Sequence, residues 1–67
     1  MRINAEKVEI LLAEQGKTKQ ALSRECGISP QSISTIIRRG SCEPRNAGKL
    51  AAALGVHVME IAAPKSS

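Results

Sequence analysis

The stretch GISPQSISTIIRRG, residues 27–40, decides the reading of this chain. Two glycines bracket it. Ser29 is an N-cap candidate, because its hydroxyl can accept a backbone N–H of the first helical turn. Pro30 follows at the first helical position, where a missing N–H costs nothing. Ile33, Ile36 and Ile37 then form an apolar stripe on one side of a helix. Gln31, Ser34, Thr35 and Arg38 fall at i, i+3, i+4 and i+7 on the other.

The same punctuation repeats outward from this helix. Upstream, Asn4 can cap a helix in which Val8, Leu11, Leu12 and Gln15 recur at i, i+3, i+4 and i+7, ended by Gly16. Thr18 can cap a second helix, with Ala21, Leu22, Glu25 and Cys26 before the stop at Gly27. Downstream, the loop RGSCEP leads to a helix opened by Pro44 or Arg45. Its inward residues are Ala47, Leu50, Ala51 and Leu54, and Gly55 ends it. VHVMEIAA makes a short fifth helix or turn, with Val56, Met59 and Ile61 closing the core. Nothing reads as a strand pair. The expected fold is all-α, a compact four- to five-helix bundle with short connections. It spans residues 1–63, with 64–67 as a flexible C-terminal tail.

Composition agrees with one small domain. The chain has 67 residues, 42% of them apolar, which is enough for a globule. It has no Phe, Tyr or Trp, so its core must be aliphatic, and stacking on single-stranded bases is excluded. The net charge of +4 favours nucleic acid or anionic lipid as partner. No apolar run approaches the roughly 18 residues of a membrane span. Glu6, Glu9 and Glu14 near the start do not suit a signal peptide. The expected location is the cytoplasm, at the nucleoid, with Cys26 and Cys42 as thiols.

The second and third helices are joined by Gly27, Ile28 and Ser29, the spacing of a helix-turn-helix. The glycine lets the chain reverse with positive φ, Ile28 plugs the corner, and Ser29 starts the next helix with its outer face exposed. That outer face carries no carboxylate and little bulk. A face meant only for solvent more often carries Glu–Lys pairs at i, i+4. A small, acid-free face can enter a DNA major groove about 12 Å wide.

These residues resemble the lambda-repressor-like, or Cro/C1-type (XRE), helix-turn-helix family. The resemblance runs through Gly16, Thr18, Leu22, Gly27, Ile28, Ser29, Ile33, Ser34, Ile36, Gly40, Pro44, Leu50, Ala53, Leu54, Gly55 and Val56. GISPQSISTI and LAAALGV are its most specific pieces. It covers roughly residues 7–61, nearly the whole chain. Three positions depart from the family pattern. Lys19 stands where a phosphate-contacting Gln is usual. Ser23 replaces a small apolar residue. The glycine after helix three comes one residue late, so either the helix is longer or Arg39 ends it.

The resemblance, with the chemistry of each side chain, implies a division of roles. Pro30, Gln31, Ser34 and Thr35 are the base-reading candidates. Gln31 suits a bidentate bond to adenine, and Pro30 and Thr35 suit contact with a thymine methyl. Lys17, Thr18, Lys19, Ser29, Ser32, Arg38, Arg39, Ser41 and Arg45 are the phosphate candidates, Ser29 lying at a helix N-terminus that favours an anion. Family members bind double-stranded DNA as homodimers on inverted repeats with half-sites about one turn apart. Here the dimer surface is expected near the loop before helix four and residues 54–61, with Val58 and Met59 as its apolar residues. So small a surface implies a weak homodimer formed on DNA, with an anti-repressor or another protein as a further partner.

Other chemistry has little to stand on. His57 has no companion at ligand spacing, so no metal and no cofactor are expected. Cys26 reads as a small core residue. Cys42 lies in a loop, and only that position suggests a redox role. No nucleophile has a plausible base, so no enzyme is expected. The leading expectation is a stand-alone transcriptional regulator, a repressor of phage, prophage or mobile-element type. The rivals are an antitoxin-like protein-binding module and an accessory protein of a mobile element.

Overall fold

The helices begin where a side chain can satisfy their free N–H groups. In the computed structural model, residues 1–63 are described; the expected tail, 64–67, lies outside them. Helix α1 (Ala5–Gln15) starts at Asn4, whose Oδ1 accepts the Lys7 N–H at 3.0 Å. Helix α2 (Lys19–Cys26) starts at Thr18, whose Oγ1 accepts the Ala21 N–H at 3.1 Å. Helix α3 (Pro30–Arg39) starts at Ser29, whose Oγ accepts the Ser32 N–H at 3.2 Å. Helix α4 (Pro44–Leu54) follows Glu43 with no side-chain cap bond, and Pro44 at its first position needs none. Helix α5 (Val58–Ile61) is capped by His57, whose Nδ1 accepts the Met59 N–H at 3.1 Å.

The connection between α2 and α3 turns on Gly27, with φ +78, a conformation that costs any other residue a steric penalty. Its N–H donates to the Ser23 carbonyl at 2.9 Å and closes α2. Ile28 is 8% exposed and fills the corner, as its place in the turn predicts. Gly40 closes α3 in the same manner with φ +71. The late glycine is therefore absorbed by the helix itself, and Arg39 is its last residue.

Helix α4 packs on α2 and α5, α3 packs on α2 and α1, and α1 also meets α5. The stripes read from the sequence meet between them. Val8, Leu11, Leu12, Leu22, Ile33, Ile36, Ala47, Leu50, Ala51, Leu54 and Ile61 are buried, and among the described residues no polar or charged residue is. Two polar side chains tie helix ends together. Gln15 Nε2 donates to the Leu54 carbonyl at 2.7 Å, and Lys17 Nζ donates to the Ala53 carbonyl at 3.1 Å. Both carbonyls lie in the last turn of α4, where the helix has no N–H donors of its own for them.

Two expectations change. Met59 does not close the core; it is 68% exposed, whereas Ile61 is wholly buried and Val56 and Val58 are half-buried. A one-turn helix can aim only its i, i+3 pair inward, here Val58 and Ile61, and Met59 turns away. The second change is at the N-terminus, where extended pairing does occur. Arg2 bridges Ser41 and Ile3 bridges Ala62, both antiparallel. The Ile3 N–H donates to the Gly40 carbonyl and the Cys42 N–H to the Met1 carbonyl, each at 2.9 Å. On the other side the Asn4 N–H donates to the Ile61 carbonyl at 2.7 Å and the Ala63 N–H to the Arg2 carbonyl at 3.1 Å. Ile3, 4% exposed, joins the core.

This packing separates two residues that the sequence grouped. Ile61→Ala is expected to lower the unfolding free energy by about 2–5 kcal/mol. Met59→Ser is expected to stay within about 0.5 kcal/mol of the parent. Urea unfolding midpoints check both, and equal losses would put Met59 in the core.

Candidate nucleic-acid interface

Burial of Ile33 and Ile36 turns the opposite face of α3 outward. Pro30, Gln31, Ser32, Ser34, Arg38 and Arg39 are exposed on it, and Thr35 is half-buried. Local hydrogen bonds decide what several of them show. Thr35 Oγ1 donates to the Gln31 carbonyl at 2.9 Å. That bond fixes its rotamer and leaves it presenting a methyl group and an acceptor. Ser29 Oγ lies 2.9 Å from Ser32 Oγ while also accepting the Ser32 N–H. Thr18 Oγ1 accepts its capping N–H and keeps its own proton free to donate outward. The Gln31 amide makes no hydrogen bond among the described residues, so both its donor and its acceptor remain available.

Beside this face lies a hollow of about 330 Å³ between α3 and the start of α4. It brings together Gln31, Ser32, Thr35 and Arg39 from α3 with Ser41 from the connection, all named from the sequence. It adds three residues that the sequence reading gave no part in binding, Ile36 of the core, Cys42 and Asn46. Asn46 is half-buried in the first turn of α4, one residue after Arg45. Its neighbourhood was the available signal. Burial pushes the Cys42 thiol above its usual range, Glu43 adds to the shift, and the N-terminal ammonium opposes it. Thiolate, the oxidisable form, is correspondingly scarce.

The cations divide into paired and unpaired. Lys17 Nζ is held 2.8 Å from Glu25 Oε1 and also by the Ala53 carbonyl, so the structure uses it as a tether between α2 and α4. Arg45 Nε lies 3.2 Å from Glu43 Oε2 on the exposed surface. Lys7 pairs loosely with Glu60 at 3.9 Å. Lys19, Arg24, Arg38, Arg39, Lys49 and Arg2 have no ion pair among the described residues. Glu6, Glu9 and Glu14, the carboxylates with no pair there, all lie on α1. Helices α3 and α4 contain no carboxylate. The free charge is thus positive on α2, α3 and α4 and negative on α1.

No group of three or more His, Cys, Asp or Glu residues could hold a metal ion among the described residues. None of their helices is long and apolar enough to cross a membrane. His57 serves as a helix cap, and Cys26 is half-buried against the core. Residues 8–61 match a family model described as helix-turn-helix. Comparison with curated proteins and with solved structures gives no significant match.

The tethering of Lys17 has a measurable consequence. Lys17→Met is expected to reduce stability by about 0.5–1 kcal/mol at low salt, with the loss shrinking at high salt. Urea unfolding at two salt concentrations checks it; a loss indifferent to salt would assign the effect to packing.

Proposed function

The chain belongs to the Cro/C1-type helix-turn-helix (XRE) family, whose members bind DNA sequence-specifically, and from that premise we propose that it is a small transcriptional regulator reading the major groove with α3. The observation that carries this is the exposed, acid-free face of α3, with an unengaged Gln31 amide at one end and the unpaired Arg38 and Arg39 at the other. Helix α3 lacks any carboxylate to repel phosphate, and its serines and threonine are short enough to let the backbone approach a base edge.

Gln31 is the principal reader, bonding adenine through both its donor and its acceptor. Thr35, its hydroxyl turned back on the helix, offers its methyl group to a thymine, with Pro30 beside it and Ser34 bonding a base edge. Lys19, Arg38, Arg39 and Ser41 hold the backbone, with Thr18 and Ser32 donating hydroxyl bonds from helix starts and Ser29, whose proton goes to Ser32 Oγ, marking the α3 N-terminus that favours a phosphate. Arg45 adds a contact when it leaves Glu43, an exposed pair of little worth. Lys17 is left out of this set because its ammonium is engaged inside the protein.

In this reading the chain acts as a repressor of phage, prophage or mobile-element type at the nucleoid, and residues 1–63 are its DNA-binding domain. A weak homodimer forms on an inverted repeat, with the exposed Met59 and the half-buried Val58 at the contact. The division of charge supports steered association, since free cations lie on α2, α3 and α4 and the carboxylates without an ion pair among the described residues lie on α1.

Selection of bound sequences from a random duplex pool, followed by titration of the winner at two salt concentrations, tests the reading. An inverted repeat with about ten base pairs between half-site centres is expected. Salt-sensitive binding with no motif would overturn base reading by α3.

On that operator the two classes of contact separate. Gln31→Ala is expected to cost about 1–3 kcal/mol and relax preference at one base pair of each half-site. Lys19→Ala is expected to weaken every duplex alike and flatten the salt dependence. Identical behaviour of the two variants would remove Gln31 from the readers.

A further inference from the structure

The N-terminal segment sets a cation to which the sequence gave no role, Arg2, against Ser41, which lines the hollow beside α3. Arg2 and Ser41 are an antiparallel pair flanked by the two bonds Ile3 N–H to Gly40 carbonyl and Cys42 N–H to Met1 carbonyl. Bonds placed outside the pair make it the non-hydrogen-bonded kind, in which opposed side chains stand closest and on the same face. Successive residues of an extended segment point to opposite faces. Ile3 points into the core, paired with Ala62 on that inner side. Arg2 and Ser41 therefore project outward together. Ser41 lines the hollow with Gln31, Thr35 and Arg39. Arg2 is exposed and has no ion pair among the described residues.

We propose that Arg2, held beside Ser41 by this main-chain pairing, is a further DNA-backbone contact, gripping a phosphate next to the one that Ser41 meets. The proposal rests on the DNA-binding reading above. Two features suit the residue to the task. Its position is set by backbone bonds on both sides of the segment, since the Arg2 carbonyl also accepts the Ala63 N–H. The guanidinium is then anchored at its root while its fork remains free to meet phosphate oxygens in a bidentate way. It also extends the contact surface past the end of α3, on the side where the connection to α4 leaves the helix.

The test compares Arg2→Ala, Arg2→Lys and Lys49→Ala on the selected operator. The pairing of residue 2 uses only its main chain, so these variants are expected to melt like the parent. Arg2→Ala is expected to bind about three- to tenfold more weakly per protomer near 0.1 M salt, and to lower the salt slope by about one per protomer, on every sequence alike. Arg2→Lys is expected to retain the slope. Lys49→Ala removes the same charge elsewhere and is expected to change much less. Neutral methylphosphonates placed singly along the operator then locate the contact: one position weakens the parent but not Arg2→Ala. If Arg2→Ala matches the parent or Lys49→Ala while the operator is still bound selectively, the proposal falls and the DNA reading stands. If the parent selects no sequence and binds no duplex, both fall.

Discussion

What α3 presents depends on the enclosure of Ile33, whose side chain has no exposed surface. A helix can turn about its axis, and a shift of one residue would rotate every side chain by about 100°. Ile33, with Ile36 beside it, prevents that shift, because a shift of one residue would bring Ser32 or Ser34 into an aliphatic core. Ile28 holds the start of the helix against the corner, Ser29 closes its first turn, and Gly40 ends it. The outward face of Gln31, Ser34 and Arg38 is thus the consequence of an apolar contact on the other side.

The charges follow from the same division. With no polar group buried among the described residues, every charge sits at the surface, and what matters is which ones are cancelled. Glu25 and Glu43, the carboxylates closest in sequence to α3, are each matched by a cation, Lys17 and Arg45. Among the described residues, the carboxylates left without pairs are confined to α1, while α2, α3 and α4 retain cations without an ion pair. A small net charge is therefore unevenly divided among the helices, which a count of +4 by itself does not reveal.

The connection after α3 is held from outside by the extended residues 1–3. Two backbone bonds fasten it to residues 40–42, and two more fasten the same segment to residues 61–63. Ser41 and Cys42 consequently have a defined place beside α3, although nothing in their own stretch of chain imposes one. The segment also delivers Ile3 to the core, completing a small aliphatic interior that has no aromatic residue to fill gaps.

The helices and their limits were legible in the sequence because their causes are local. Asn4, Thr18 and Ser29 cap the turns that immediately follow them, the glycines close the helices, and the stripes of Leu, Ile and Ala repeat at helical spacing. The face of α3 was legible for the same reason, since a period of 3.6 residues sets Gln31, Ser34, Thr35 and Arg38 opposite the isoleucines. Tertiary structure decided what depends on distant partners. It placed Met59 outside, because a single turn aims only Val58 and Ile61 inward. It drew Lys17 to Glu25 and Ala53, brought Asn46 and Cys42 to the hollow, and paired Arg2 with Ser41. The Arg2–Ser41 pairing joins main-chain groups far apart in the chain, and a segment of three residues has too little periodicity to announce that it is a strand.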